Sequence, residues 1–305
     1  MQASVQVSGS VLPGIQVIRR AHTSTLKSGR TVDLSIPGLF YRSEIIVNQD
    51  ELNKTLSKLP LGEIRYFDSI GSTNDEALAW ATAGARDMSI VVANEQTMGR
   101  GRYDRPWITP HATALALSIV LRPSMEEHSH LSRIVGLAAL AVSDALQIRN
   151  LDPEIKWPND ILLNMRKVAG ILIELVWSGE NVECVVIGIG INVTKGAVPS
   201  TDILRFPAIS LEHVLGQPPE RVALLHDILA NIITLRPRLG TDAFIASWQK
   251  KIAYNGRQVQ VDMGGEKTVI GKVVGLESDG SLRIRDADGK YIAVRFGDVR
   301  LRPFA

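Results

Sequence analysis

The densest group of candidate ligand-binding residues lies at positions 99–107, where the sequence GRGRYDRPW contains three arginines and two glycines. Glycine lets a backbone approach a ligand closely and adopt a positive φ. The arginine guanidinium presents a planar fork of donors that fits carboxylate and phosphate groups. The segment therefore indicates a loop that binds an anionic ligand. A solvated surface loop has a similar composition, so this segment alone does not separate the two.

Further polar segments flank this loop. Residues 72–74 (STN) open a predicted helix, in which Thr73 and Glu76 have the spacing of a capping box. Downstream, the segments 156–160 (KWPND) and 166–174 (RKVAGILIE) combine charged and amide side chains with apolar runs. The sequence has no G-x-x-x-x-G-K-[ST] loop, no H-E-x-x-H pair and no G-x-S-x-G turn. The P-loop, zinc-protease and nucleophile-elbow hydrolase classes are thereby excluded.

Apolar runs predict the elements that position these segments. Strands are predicted at 88–93, 113–121, 168–177 and 182–193, of which the last two form a hairpin. Helices are predicted at 49–58, 73–84, 131–148, 219–235 and 241–252. Beyond residue 255, short strands alternate with tight turns that include Asp279-Gly280 and Asp288-Gly289. This pattern predicts a small β-barrel as a separate C-terminal domain.

Composition narrows the class of protein. The 305 residues are 45% hydrophobic, carry a formal net charge of +2 and contain no long basic run, which argues against a nucleic-acid footprint. The single Cys184 lies in an apolar run and is predicted to be buried, and one cysteine excludes an intrachain disulfide framework. No apolar run reaches the length of about 18 residues expected of a membrane span. Without a recognisable secretory signal, the expected location is the cytoplasm.

In their order and spacing, five segments resemble the biotin protein ligases. These are residues 72–74, 96–107, 156–160, 166–174 and 188–192, and the resemblance covers roughly residues 61–303. It implies an α+β fold with a mixed β-sheet flanked by helices, a class II synthetase-like biotin ligase core, followed by a small SH3-like β-barrel. The expected regions are an N-terminal extension without a helix-turn-helix at 1–60, a catalytic domain at 61–253 and the barrel at 254–305.

The resemblance also implies an activity. Members of this family join biotin to ATP, giving biotinyl-5′-adenylate and pyrophosphate. They then transfer biotin to one lysine of a biotin carboxyl carrier protein, or of the carrier domain of a biotin-dependent carboxylase. Biotin, ATP and Mg²⁺ are therefore the expected small-molecule partners, with Mg²⁺ arriving on ATP rather than in a protein metal site.

Site residues are assigned by matching positions of the family motifs. The biotin-binding positions match Ser72, Thr73, Asn74, Gln96, Arg100, Gly101, Arg102, Lys167, Gly170 and Gly188. The ATP-binding or adenylate-binding positions match Arg100, Arg102, Trp107, Lys156, Asn159, Lys167 and Asn192. The expected catalytic residues are Lys167, Arg102 and Asp160.

These residue types fit the implied chemistry. Attack of a carboxylate on an α-phosphate forces two anions together, so fixed cations such as Lys167 should stabilise the transition state. In the second step the carrier lysine must be neutral, and a pKa of about 10.4 leaves about one in 2500 neutral at pH 7. Asp160 is expected to orient that amine and accept its proton. The alternative is that Asp160 only fixes the turn after Pro158.

Several residues keep two interpretations. Lys156 either binds phosphate or pairs with a neighbouring acid. Trp107 either packs the closed loop or lies along the adenine. Gly170 and Gly188 either let strands approach the ligand or only allow tight packing.

One position departs from the family pattern G-R-G-R-x-G-R-x-W, because Asp104 stands where that pattern has glycine. If the site needs a positive φ, aspartate costs more than glycine, although it tolerates that conformation better than most residues. Asp104 also lowers the charge of the loop. The departure bears on loop closure and on retention of the adenylate, not on the class of reaction.

Three other functions compete with biotin ligation. A lipoate–protein ligase shares the core fold, but residues 156–160 and the glycine-arginine loop favour biotin. A ligase that doubles as a transcriptional repressor needs a helix-turn-helix, which residues 1–45 do not show, so DNA is not an expected partner. A non-catalytic binding module would not need Lys167 and Arg102. The sequence leaves open whether the chain forms a homodimer.

Overall fold

A computed structural model describes residues 15–17, 47–200, 204, 206–263, 267–295 and 297–300. Its larger sheet has eight strands: β1 (Ile15–Val17), β2 (Ile64–Ile70), β3 (Ser89–Gln96), β4 (Ala114–Leu121), β5 (Glu154–Lys156), β6 (Asp160–Leu163), β7 (Arg166–Ser178) and β8 (Asn181–Asn192). The order is β2-β3-β4-β8-β7-β6-β5, with β1 beside β7. The β2–β3 and β1–β7 pairs are parallel and the others antiparallel, so the predicted mixed sheet is confirmed. Most of the predicted N-terminal extension lies outside the described residues.

Helices cover both faces of this sheet. They are α1 (Gln49–Leu56), α2 (Thr73–Thr82), α3 (Ile134–Gln147), α4 (Leu211–Leu215), α5 (Arg221–Leu235) and α6 (Asp242–Lys250). The buried apolar residues of α3 and α5 belong to the main apolar core, which also contains Ile187, Ile189 and Ile191 of β8. Each such side chain, once buried, contributes about 1.5–3 kcal/mol. Within the described residues, no helix is long and apolar enough to span a membrane.

The face of the larger sheet that packs against α2 is apolar at one end and formed by glycines at the other. At one end, α2 packs on Val91, Val120, Cys184 and Val186 in a second apolar cluster. Cys184 is buried as predicted, and burial raises the pKa of its thiol. Side chains of a strand alternate between faces, so the same face of β8 continues through glycine at positions 188 and 190. A face that ends in glycine leaves open space beside the sheet.

The start of α2 differs from the prediction. Ser72, not Thr73, is the N-cap, and its hydroxyl accepts from the Asp75 amide at 3.4 Å. The capping box of Thr73 and Glu76 is wrong, since Thr73 turns towards Gln96 and Glu76 pairs with Arg65 at 2.6 Å. Strand β3 also runs further than predicted and ends at Gln96, because β2 pairs with it as far as Gln96.

The C-terminal segment forms a separate antiparallel sheet. Its strands are β9 (Gln258–Asp262), β10 (Thr268–Leu276), β11 (Leu282–Arg285), β12 (Tyr291–Val294) and β13 (Asp298–Arg300), in the order β12-β11-β10-β9-β13. The predicted hairpins are confirmed: Gly280 and Gly289, which turn the chain between β10, β11 and β12, have φ values of 84° and 82°. This sheet is the small β unit that the sequence predicts.

The small sheet packs directly on the core through the turn at residues 278–280. The Trp157 indole donates to the Gly280 carbonyl at 3.0 Å, and the Ser132 hydroxyl donates to the Asp279 carbonyl at 2.8 Å. Arg133 donates to the Ser278 carbonyl at 2.8 Å. The turn therefore holds the segment that contains Trp157 in place.

Candidate active site

A cavity of about 880 Å³ opens on the α2 face of the larger sheet. All fifteen site residues predicted from the sequence line it: Ser72, Thr73, Asn74, Gln96, Arg100, Gly101, Arg102, Trp107, Lys156, Asn159, Asp160, Lys167, Gly170, Gly188 and Asn192. They come from residues 72–192, so the fold brings distant segments together around one space. Shared lining shows that the residues are neighbours; their individual roles stay predictions.

One end of the cavity is a network of neutral polar groups. The Gln96 side-chain oxygen accepts from both the amide and the hydroxyl of Thr73, at 2.8 Å and 2.9 Å. The Ser118 hydroxyl lies 2.8 Å from the Thr73 hydroxyl and 2.6 Å from the Asn74 side-chain oxygen. Asn74 in turn donates to Glu174 at 2.8 Å. Buried groups bonded in this way hold fixed orientations, as recognition of a polar ligand requires.

Glu174 is a central residue of this end that sequence reasoning did not assign. Its side chain is fully buried in β7, and Arg100 binds both of its oxygens, at 2.6 Å and 3.0 Å. Arg100 also donates to Asp75 at 2.6 Å. Although burial acts to lower it, these hydrogen bonds raise the pKa of Arg100 above its ordinary value. Two carboxylates therefore compensate the positive charge of Arg100.

If this end of the cavity binds biotin, as the sequence predicts, the substitution Glu174→Gln should raise the apparent KM for biotin about tenfold or more. Glutamine turns one acceptor into a donor, which faces the donors of Asn74 or Arg100, and an unmatched buried group costs about 1–3 kcal/mol. Steady-state kinetics with biotin varied at saturating ATP would measure the effect. Glu183→Gln is the matched control, since Glu183 pairs with Arg122 at 3.2 Å on the same sheet. Equal KM values for the two variants would contradict the prediction.

The other end of the cavity is cationic. Lys167 lies 2.6 Å from one oxygen of Asp160, and Lys156 lies 3.4 Å from the other. Although burial acts to raise it, the two lysines hold the pKa of Asp160 below its usual value. Lys156 thus pairs with an acid, as one of its two interpretations held, and it also lies over the Phe206 ring at 4.4 Å. Two lysines share one carboxylate, which leaves one positive charge uncompensated.

The glycine-arginine loop closes over this end as a short hairpin. Gly101 donates to the Arg105 carbonyl at 2.7 Å, and Trp107 donates to the Gly99 carbonyl at 2.8 Å. At its tip, Tyr103 and Asp104 have φ values of 57° and 53°. Two successive left-handed residues are the pattern of a type I′ turn. Asp104 therefore occupies a position with positive φ, as its place in the family pattern suggested.

The Trp107 indole lies on the floor of the cavity. Gly170 and Gly190 are directly opposite each other in the β7–β8 ladder. A Cβ atom built on Gly190 would overlap the indole, and one built on Gly170 would lie 3.2 Å from it. A Cβ on Gly188 would instead overlap the Asn74 side chain. Gly188 thus allows tight packing against a polar residue, and Gly190, which sequence reasoning did not single out, makes room for Trp107.

The sequence analysis did not predict the outer wall of the cavity. Residues Ala197, Pro199, Leu204, Phe206 and Ala208 line the cavity from the irregular stretch between β8 and α4. This stretch has no periodicity from which its position could be inferred. Asn192 connects it to the sheet by donating to the Ile209 carbonyl at 3.1 Å.

Comparisons with known proteins agree with this geometry. The pattern of the Biotin/lipoate A/B protein ligase family matches residues 66–192, and that of the Biotin protein ligase C terminal domain matches residues 254–302. The biotin–[acetyl-CoA-carboxylase] ligase of Paracoccus denitrificans is 34% identical over 232 residues, covering 72% of this chain and 93% of the relative. The chain belongs to the biotin protein ligase family.

Two further relatives extend the likeness. The biotin–[acetyl-CoA-carboxylase] ligase of Mycobacterium tuberculosis is 32% identical over 239 residues, covering 75% of this chain and 85% of the relative. The structure of the Aquifex aeolicus biotin protein ligase in complex with biotin and ATP has a TM-score of 0.66 and 28% identity, and covers 78% of this chain and 98% of that chain. The fold class predicted for this biotin protein ligase, a mixed sheet with helices and a small terminal β unit, is thus confirmed.

Proposed function

We propose that this biotin protein ligase forms biotinyl-5′-adenylate from biotin and ATP, and then transfers the biotinyl group to one lysine of a biotin carboxyl carrier protein. The observation that supports this proposal is the difference in charge between the two ends of the cavity. At one end, neutral donors and acceptors surround an arginine compensated by two carboxylates. At the other end, Lys156 and Lys167 bind the carboxylate of Asp160, and Arg102 lines the same cavity and donates to the neighbouring Asn159. A biotin ring fits the first end, and reacting phosphates fit the second.

In the first step, a carboxylate oxygen of biotin attacks the α-phosphorus of ATP. The bond from that phosphorus to the bridging β-oxygen breaks, and pyrophosphate leaves with the electron pair. Lys167 and Arg102 would stabilise the negative charge that gathers on the α-phosphate. The hairpin would exclude water, which otherwise hydrolyses the mixed anhydride.

Mg²⁺ would enter on the phosphates of ATP, where it neutralises their charge. Within the described residues, no group of three or more His, Cys, Asp or Glu could hold a metal ion. The Asp160 oxygens are already bound to Lys167 and Lys156. The donor set of the cavity therefore fits a metal carried by the nucleotide.

In the second step, the amine of the carrier lysine attacks the acyl carbon, the acyl–oxygen bond breaks, and AMP leaves. The lysine ammonium first gives one proton to solvent, and the nitrogen gives a second to solvent as the amide forms and AMP leaves. Asp160 is the residue proposed to orient the amine. The lysines that bind Asp160 lower its pKa and its affinity for a proton. An orienting role is therefore favoured over net proton uptake.

For the domains, we propose residues 61–253 as the catalytic unit and 254–305 as the barrel.

The decisive experiment is exchange of labelled pyrophosphate into ATP with Mg²⁺ present. Exchange that depends on biotin, and not on lipoate, is the expected result. Exchange with lipoate instead would transfer the chain to the lipoate ligases. Absence of exchange with either acid would overturn the adenylation proposal and favour a binding module.

The substitution Asp104→Gly should slow release of biotinyl-adenylate about threefold. Glycine adopts the left-handed turn without the cost of a side chain and raises the loop charge by one, so the closed hairpin becomes more stable. Release is measured by gel filtration of enzyme loaded with labelled adenylate. Asn150→Gly is the control, because Asn150 has a φ of 57° at the end of α3, away from the cavity. Unchanged or faster release from Asp104→Gly would sink the idea.

A further inference from the structure

Tyr103 is an exposed aromatic residue at the tip of the hairpin, and neither the family pattern nor the proposed mechanism gives it a role. Its side chain is 56% exposed. The Arg102 guanidinium donates to its hydroxyl oxygen at 3.1 Å and lies 5.0 Å from the ring centroid. The guanidinium of Arg105 lies 5.4 Å from the same centroid. An exposed ring thus organises two arginines of the loop.

Arg102 is held entirely by neutral acceptors in the described part of the chain. Besides Tyr103, its partners are the side-chain oxygen of Asn159 and the carbonyl of Gly297, each at 3.3 Å. Arg100, two residues earlier, is bound by two carboxylates. The contrast matters because a carboxylate would orient an arginine and also compensate its charge. A phenol and two amide oxygens orient the guanidinium and leave its full charge for an anion.

We propose that Tyr103 is a positioning residue that holds Arg102, with its charge uncompensated, over the phosphate end of the cavity. It would thereby set how tightly the acyl-adenylate is retained. This inference rests on the proposed function and adds a residue that acts through Arg102 without touching the substrate. The hydroxyl is the decisive group, since it supplies the hydrogen bond, while the ring supplies a surface on which Arg102 lies.

The test compares three variants with the wild type. Tyr103→Phe removes only the hydroxyl, and Tyr103→Glu offers a carboxylate that would compensate Arg102. The control is Tyr291→Phe, because Tyr291 is also exposed and also lies near two arginines, Arg283 and Arg285, at 5.9 Å and 6.0 Å on the small sheet. The readouts are the rate of adenylate release, the KM and kcat for ATP in pyrophosphate exchange, biotin binding without ATP, and the melting temperature.

Tyr103→Phe should release adenylate about three to ten times faster, which is the loss expected when one hydrogen bond of ordinary net strength is removed. Its kcat/KM for ATP should fall, because Arg102 is also proposed to stabilise the charge on the α-phosphate, whereas biotin binding without ATP and the melting temperature should match those of the wild type. Tyr103→Glu should release adenylate faster still, because its carboxylate would compensate the charge of Arg102. A purely structural role would not separate adenylate retention from biotin binding in this way.

Two failures are distinguishable. If the wild type shows no biotin-dependent exchange, the proposed function is overturned and this inference with it. If the wild type exchanges normally and Tyr103→Phe releases adenylate at the rate of Tyr291→Phe, the inference alone is overturned. Release slower from Tyr103→Glu than from Tyr103→Phe would also contradict it, because the added carboxylate should compensate Arg102.

Discussion

Lys167→Ala should lower the rate of biotin-dependent pyrophosphate exchange by about 10³-fold, since fixed charges at a transition state contribute effects of that size. The substitution removes a cation from the proposed phosphate end of the cavity and breaks its 2.6 Å contact with Asp160. Asp160 would keep only Lys156, at 3.4 Å. The cavity therefore loses a stabilising charge, and the remaining carboxylate repels the incoming phosphates more strongly.

The measurement is initial-rate exchange at saturating ATP and biotin. Lys54→Ala, an exposed lysine on α1, controls for general loss of positive charge. Lys167→Arg should recover part of the activity, because it restores the charge with a different geometry. Activity of Lys167→Ala within tenfold of the wild type would remove Lys167 from the catalytic residues.

Gly190→Ala should lower exchange activity about 100-fold while leaving most of the fold intact. The added methyl group would overlap the Trp107 indole, so the indole and the hairpin attached to it must move. Overpacking of this kind costs about 1–3 kcal/mol. The strand itself should persist, since Gly190 pairs with Ala116 and Gly170 in its two ladders through backbone groups.

A double-mutant cycle separates this explanation from general damage to β8. With Trp107→Ala in the background, the methyl group at position 190 has space, so its cost in melting temperature should disappear. Gly188→Ala is a second comparison, because its methyl group meets Asn74 and should raise the KM for biotin. If Gly190→Ala is equally destabilising with and without Trp107, the indole does not explain the glycine.

The sequence predicted those parts of the fold that repeat a local pattern. The β7–β8 hairpin and the turns at Gly280 and Gly289 follow from apolar runs and turn residues, and the structure has them. The start of α2 could not be resolved locally, because Ser72 with Asp75 and Thr73 with Glu76 have the same spacing. Ser72 is the N-cap because the Thr73 hydroxyl donates instead to the side-chain oxygen of Gln96, which lies 23 residues later in the sequence.

The candidate site, like the fold, has parts that the sequence predicted and parts that it did not. Its segments were predicted together because their order matches a known family. Glu174 and Ser118 were missed, although each is a polar residue inside an apolar strand, which is a usable signal for a buried polar network. The positive φ of Tyr103 could not be predicted, since no glycine marks that position, whereas the glycine of the family pattern pointed to a positive φ at Asp104. The arrangement of Arg102 depends on Gly297, which is distant in sequence.

The hydrogen bonds from Trp157 to Gly280 and from Arg102 to Gly297 make the position of the loop depend on a later part of the chain than the cavity wall. Every described residue that lines the cavity lies between positions 72 and 208, so its wall is synthesised before the small sheet. The acceptors for Trp157 and Arg102, at Gly280 and Gly297, are synthesised after that wall. We therefore expect a chain that lacks the small sheet to assemble the cavity but not to hold the loop closed. Such a chain would release any acyl-adenylate that it formed.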